Sequence, residues 1–347
     1  MSMLGAVLLA ADQLRLTQVP DPSPGPGEVL VRVGANTICG TDLRILRGEK
    51  TAGVELPVIL GHESAGHVAA VGPGVSGYDV GAPVAVAPVI PCRRCWECRH
   101  DLENLCPNAR ILGYAVDGGL AEYLLVPAEA VAAGCLFLAG RDLPSEQLAL
   151  AEPLACVVNG QRWSPVEVDD VVLVMGAGPI GLFHLQLASL AGARAVIVSE
   201  PSAARRAQAE RLGAAVALDP ATQDLAEVVR ELSQGVGVDA SVVCVGVPEL
   251  VNQAVELSRS GGRVNVFAGL AGAGWAKVAA SRIHYRQVRL TGSANSRRSD
   301  YATALRLIES GRVETASMLT HRFPLSAVHE AVRAVGTGEA IKVAVLP

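Results

Sequence analysis
Six apolar runs alternate with helix-patterned segments between residues 171 and 291, and few folds accommodate that rhythm. The runs are 171–175, 195–199, 216–218, 240–245, 264–268 and 288–291; the segments between them include 180–191, 202–212, 225–233 and 248–258. A parallel strand is covered on both faces by crossover helices, so it reads as an unbroken hydrophobic stretch. The pattern predicts an α/β fold on a doubly wound parallel sheet, with right-handed crossovers placing helices on both sides.

The first 150 residues read differently. Short β-like runs at 28–33, 64–71, 83–87 and 121–126 are punctuated by Gly and Pro, which predicts a compact all-β or barrel-like unit. Past about residue 290 come helices near 301–310 and 325–335 and a last strand over 342–345, a tail expected to return to the first unit. With 347 residues, half of them hydrophobic, the chain can fill two cores. A net charge of −5 without a basic stripe argues against nucleic acid as a partner. The apolar opening 1–11 lacks a charged flank and a cleavage site, so it reads as a first strand. No stretch approaches the roughly 18–20 apolar residues a membrane span needs, and a cytoplasmic protein is expected.

Gly176-Ala177-Gly178-Pro179-Ile180-Gly181 lies where the first of the six runs passes into a helix. Gly176 permits a tight turn, Gly178 lets backbone approach a pyrophosphate, and Gly181 lets the helix pack on the sheet. The helix opened by Pro179 and Ile180 then turns its free N–H groups and positive dipole end toward the phosphates. Glu200 ends the next run at the distance where a ribose-binding acid belongs. A carboxylate there accepts from the ribose 2′-OH and repels a 2′-phosphate, which favours NAD over NADP. Arg205 and Arg206 lie close by, either as adenosine contacts or as a solvated helix face. Ser293, after the last run, is a candidate nicotinamide or substrate contact.

Cys92, Cys95, Cys98 and Cys106 offer four soft ligands in one short loop, a set suited to a closed, structural tetrahedral zinc. An iron–sulfur cluster competes, because Pro107 follows Cys106, but the seven-residue gap before Cys106 is longer than the ferredoxin run allows. A second set is scattered: Cys39 in Cys39-Gly40-Thr41-Asp42, His62 and Glu63 after Gly61, and Glu152 before Pro153. Thiolate, imidazole and carboxylate suit a catalytic zinc with an open position. Spacing alone leaves open that Cys39 and His62 are ordinary core residues.

These segments occur in the order found in zinc-containing medium-chain dehydrogenases, and the chain resembles their sorbitol and L-threonine dehydrogenase branch over nearly its whole length. The resemblance implies a GroES-like catalytic domain over 1–152 and 290–347, enclosing a Rossmann NAD-binding domain over 153–289. It implies two zinc ions: a structural one on the four-cysteine loop, and a catalytic one on Cys39, His62 and Glu63 with Glu152 as an exchanging or water-linked ligand. Thr41 would pass on the substrate proton and Asp42 would orient His62. It also implies a homo-oligomer, a tetramer before a dimer.

One position departs from the pattern. Threonine dehydrogenases place a relay histidine five residues after the zinc cysteine, and here Arg44 stands there. Arginine does not deprotonate near neutral pH, so the proton needs another route and threonine becomes a less favoured substrate. The reaction expected is hydride transfer between a polar secondary alcohol (polyol, sugar, cyclitol or amino alcohol) and NAD. The competing readings are a zinc-independent quinone or enone reductase on the same scaffold and a non-catalytic nucleotide-binding protein.

Overall fold
The computed structural model describes residues 2–270 and 274–347, so Met1 of the opening run lies outside the described residues. The chain forms two compact units, Met1–Ala155 with Asn295–Pro347, and Cys156–Ala294.

The second unit is a six-stranded, all-parallel sheet. Its strands lie in the order Val216–Leu218, Ala195–Ser199, Val171–Met175, Val238–Val243, Ser258–Val266, Arg289–Gly292. Sequence order reverses beside Val171–Met175, whose five residues are all buried. That reversal point, at the carboxyl end of the strands, is where such sheets bind nucleotides. The helices Pro179–Leu190, Ala203–Arg211, Leu225–Leu232 and Pro248–Leu257 fall within a residue or so of the expected segments. The strand Val171–Met175 shows no alternation of polar and apolar residues; Val171, Leu173 and Met175 join Ile197, Val243 and Val264 in one core.

The first unit is β-rich but not purely β. A seven-stranded sheet runs Leu136–Leu138, Pro83–Val86, Glu63–Val71, Val29–Ile38, Lys342–Leu346, Leu319–Pro324, with Tyr123–Val126 also on Val29–Ile38. The tail enters this sheet: Val343 lies opposite Ile38, antiparallel. Several helices lie outside the expected elements, and two of them bear on the site. Gly40–Leu46 is only seven residues long, too short to show a helical period. Ala151–Trp163 begins in the first unit and runs into the second. Among the described residues, no helix is long and apolar enough to cross a membrane.

Candidate active site
Strand Val29–Ile38 ends at Cys39, whose extended backbone caps the helix Gly40–Leu46. Asp42, in the first turn of that helix, folds back. Its Oδ2 accepts from the Cys39 N–H at 2.8 Å, and its Oδ1 lies 3.0 Å from His62 Nδ1. One buried carboxylate thereby ties the helix start to the imidazole, fixing the ring and leaving Nε2 to face a metal. Gly61 delivers His62 to this place: its φ is +99°, and a Cβ there would lie 2.7 Å from Asn36 Oδ1 and 2.8 Å from the Leu120 nitrogen. Only glycine fits both demands.

Glu63 opens the strand Glu63–Val71, with Thr37 directly opposite. Its carboxylate is fully buried. The Thr37 hydroxyl donates to Oε2, and Lys342 Nζ donates to Oε1 at 2.7 Å. A buried carboxylate needs such partners, since uncompensated charge in the interior is costly. Burial acts to lower the pKa of Lys342, but the Glu63 charge outweighs it and the pKa ends raised, so the ammonium persists. Burial likewise acts to lower that of His62; the influence of Tyr114 and the charge and hydrogen bond of Asp42 turn the balance upward. Tyr114 sits edge-on to the His62 ring, centroids 5.4 Å apart, and burial raises its phenol well above its ordinary value.

One ligand atom from each of Cys39, His62 and Glu63 lies within 4.8 Å of the others. This mixed sulfur, nitrogen and oxygen set fits zinc with a position left open. Glu152 is outside that set of three. It is buried in the first turn of Ala151–Trp163, close enough for its charge to act on Tyr114 and Lys342.

The four cysteines of the second cluster also converge, with their sulfurs all within 4.8 Å of one another. Backbone N–H groups point at them: Cys92 N donates to Cys106 Sγ and Cys98 N to Cys95 Sγ, each at 3.4 Å. The Arg94 N–H leads the causes that bring Cys92 down to about 6, whereas desolvation pushes Cys95 and Cys98 up. Such a set suits four-coordinate zinc and offers no open position. Salt bridges tie the loop to the tail. Arg298 Nη2 lies 2.6 Å from Glu103 Oε2, and Arg297 pairs with Asp101 and with Asp300.

In the parallel unit, Gly176 has a φ of +100°, and a Cβ there would run into Val245. A Cβ on Gly181 would overlap the Gly176 carbonyl oxygen, whereas one on Gly178 would meet nothing within 4 Å. Two glycines are thus demanded by the fold, and Gly178 faces open space at an N-terminus with no side-chain cap. Pro179 follows in the first turn, where its missing N–H costs nothing. Glu200 spans the loop: it accepts from the Ala177 N–H at 2.7 Å and from the Ser202 N–H at 2.9 Å. Arg206 donates to the Glu200 carbonyl at 2.7 Å and pairs with Asp219 at 3.3 Å. Ser293 donates its hydroxyl to Asn265 Oδ1 at 3.0 Å, so that group already has a structural use.

Residues 25–134 match the family described as "Alcohol dehydrogenase GroES-like domain", and residues 179–310 match "Zinc-binding dehydrogenase". The chain is 35% identical to the L-threonine 3-dehydrogenase of Pyrococcus abyssi over 336 residues, 94% of each protein. It is 33% identical to the D-arabitol-phosphate dehydrogenase of Enterococcus avium, over 96% of this chain and 93% of that one. The chain belongs to the zinc-containing medium-chain dehydrogenases. A zinc-binding dehydrogenase structure from Sinorhizobium meliloti 1021, bound to NADP, superposes with a TM-score of 0.94 at 34% identity, covering all of both chains.

As a medium-chain dehydrogenase of the sorbitol and threonine branch, the protein is an alcohol-oxidising enzyme that uses zinc and a nicotinamide cofactor. Its GroES-like and Rossmann-like parts are those expected from the sequence. Thr41 is half-buried in the first turn of Gly40–Leu46, and Arg44 is exposed in its last turn. Sequence reading missed Thr37, Lys342 and Tyr114. Lys342 lies 279 positions from Glu63, and no local motif marks it. Tyr114 follows Gly113, which packs on Gly61, but that approach is visible only in three dimensions.

Proposed function
We propose that this dehydrogenase oxidises a secondary alcohol with NAD, holding one catalytic zinc on Cys39, His62 and Glu63, with Glu152 as an exchanging or water-linked ligand. A second, structural zinc is held by Cys92, Cys95, Cys98 and Cys106. The observation that carries this reading is the Asp42 bridge, which engages His62 Nδ1 and leaves the other ring nitrogen for a metal, in a histidine grouped with Cys39 and Glu63. When bound, zinc supplies Lewis acidity to the substrate hydroxyl and NAD accepts the hydride.

The chain's own residues do the rest. Asp42 orients His62, and Thr37 and Lys342 hold the Glu63 carboxylate in place. The Thr41 hydroxyl takes the substrate proton. An arginine at position 44 cannot relay it, so the proton would leave through water or, with the cofactor bound, through its ribose hydroxyl. Met1–Ala155 with Asn295–Pro347 act as the catalytic domain and Cys156–Ala294 as the NAD-binding domain, a few residues from the expected bounds because Arg289–Gly292 pairs in the parallel sheet. There Gly176, Gly178, Pro179, Ile180 and Gly181 receive the pyrophosphate, Glu200 the adenosine ribose, and Arg205 and Ser293 flank the cofactor.

NAD preference rests on Glu200, buried and held across the glycine loop, where a 2′-phosphate would face its charge. A cytoplasmic homo-oligomer, tetramer before dimer, completes the proposal; among the described residues Arg289–Gly292 is the last strand of its sheet, an edge that a second copy would extend. A panel of polyols, cyclitols and amino alcohols, followed by NADH absorbance, tests the function. We expect kcat/KM for NAD to exceed that for NADP by at least about tenfold, roughly 1.4 kcal/mol. Equal values would overturn the role of Glu200.

A further inference from the structure
After the helix Gly40–Leu46 the chain turns back on itself, and the Arg44 carbonyl accepts from the N–H groups of both Glu49 and Lys50. This closes a loop that sets two cations together: Arg44, exposed on the helix, and Lys50, half-buried at the loop's end. Lys50 Nζ lies 5.3 Å from the centre of the Tyr114 ring, and that ring lies 5.4 Å from His62. The ammonium therefore stands no more than about 11 Å from the His62 ring, with both against Tyr114.

Neither cation has found an anion. The polar partner of Lys50 Nζ is the Ala52 carbonyl, at 3.2 Å, and among the described residues no carboxylate lies within ion-pair distance of Lys50 or Arg44. The neighbouring Glu49 turns to Arg47 instead, at 4.0 Å. A half-buried ammonium beside a second cation is electrostatically unfavourable, and burial and Arg44 together lower the Lys50 pKa. A protein that needs only a solvated surface gains nothing from that arrangement. An anion at this place would relieve both effects.

We propose that Lys50, with Arg44 behind it, binds an anionic group of the substrate, so that the alcohol oxidised carries a phosphate or a carboxylate. The proposal rests on the reading of Cys39, His62 and Glu63 as the place where the hydroxyl is held. It gives the arginine at position 44 a use in place of the proton relay. Lys50 is then a specificity-determining residue: it holds the substrate by a charge remote from the reacting carbon, and the Tyr114 ring sets the spacing between the two ends.

The test compares kcat/KM within matched pairs on the zinc-loaded enzyme with NAD: D-arabitol phosphate against D-arabitol, and hydroxybutyrate against secondary butanol. We expect one charged member to exceed its neutral counterpart by at least about tenfold, roughly 1.4 kcal/mol. Which pair shows the preference tells phosphate from carboxylate. Lys50→Met should reduce that ratio about tenfold, whereas Arg15→Gln, which removes the same charge from the exposed strand Leu14–Pro20, should leave it. Neutral alcohols turned over as well as charged ones would overturn the proposal while the dehydrogenase reading stands. A Lys50→Met variant that raises KM for NAD and spares the ratio would assign the two cations to cofactor phosphates and overturn it too. If neither pair is turned over, inorganic phosphate binding measured by calorimetry decides. Weakening of about tenfold in Lys50→Met supports the anion site, and unchanged binding refutes it.

Discussion

Replacing Asp42 by asparagine keeps its shape and gives the new amide two tasks that it cannot perform together. In the native protein Oδ2 accepts from the Cys39 N–H at 2.8 Å, while Oδ1 faces His62 Nδ1 at 3.0 Å. If the amide oxygen keeps the Cys39 bond, its NH2 group faces Nδ1. The imidazole then accepts there and carries its proton on Nε2, where a metal needs a lone pair. If the amide turns round, its NH2 opposes the Cys39 N–H and the helix loses a cap worth about 1 kcal/mol. The first arrangement preserves the fold, so Asp42→Asn should weaken one zinc equivalent about 10- to 100-fold, or about 1.4–2.7 kcal/mol, with little change in the Tm of the metal-free protein. Asp42→Ala loses both bonds: about 1 kcal/mol for the cap and about 1–3 kcal/mol for the partner left unpaired in the interior. Its metal-free Tm should fall. Chelator competition for zinc and thermal unfolding of the metal-free protein measure the two effects separately. Asp42→Asn with native zinc affinity and native Tm would refute the bridging role.

Cys95→Ser should remove about one zinc per chain and lower the Tm, because metal binding and folding are linked in such loops. Unchanged metal content and Tm would reject a structural site, and a brown protein with visible absorbance would indicate iron–sulfur instead. His184 lies buried in the helix Pro179–Leu190, edge-on to Phe267, and burial pushes its pKa down to about 3. Its ordinary value is about 6.5, so between these limits the unfolded chain binds more protons than the native one. Stability should therefore fall as pH drops through that window, by at most about 1.4 kcal/mol per pH unit from this group. In urea titrations at several pH values His184→Leu should show a shallower acid slope than the native protein, and identical slopes would contradict this account.

The parallel sheet was readable because its central strands are buried on both faces. Val171–Met175 carries no polar residue to blur the run, and the next strand, Ala195–Ser199, ends at Ser199, one residue before Glu200. The first unit was less readable. Leu319–Pro324 alternates buried Leu319 with exposed Thr320 and Arg322, and a strand so polar looks like a loop. The helix Gly40–Leu46 has too few turns to show a period, and it is held both by the Asp42 cap and by the buried Leu43 and Ile45. Cys39 and His62 stand 23 positions apart, so donor chemistry alone left a core role open for both, and the family resemblance assigned them to one metal. The support around them was illegible for the same reason. Lys342 reaches Glu63 because two strands, one from the tail and one from residues 63–71, flank Val29–Ile38. A lysine near the end of a chain reads as a solvated charge until that pairing is known.

The central claim is that Cys39 holds the metal on which alcohol oxidation depends. Its most direct test is Cys39→Ser, assayed for zinc content, NAD binding and NADH formation on the same preparation. The account predicts loss of about one zinc per chain and of turnover, with NAD still bound by the glycine loop of the other unit. Near-native alcohol oxidation by that variant would show that zinc at Cys39 is not the Lewis acid, and the mechanism would fail.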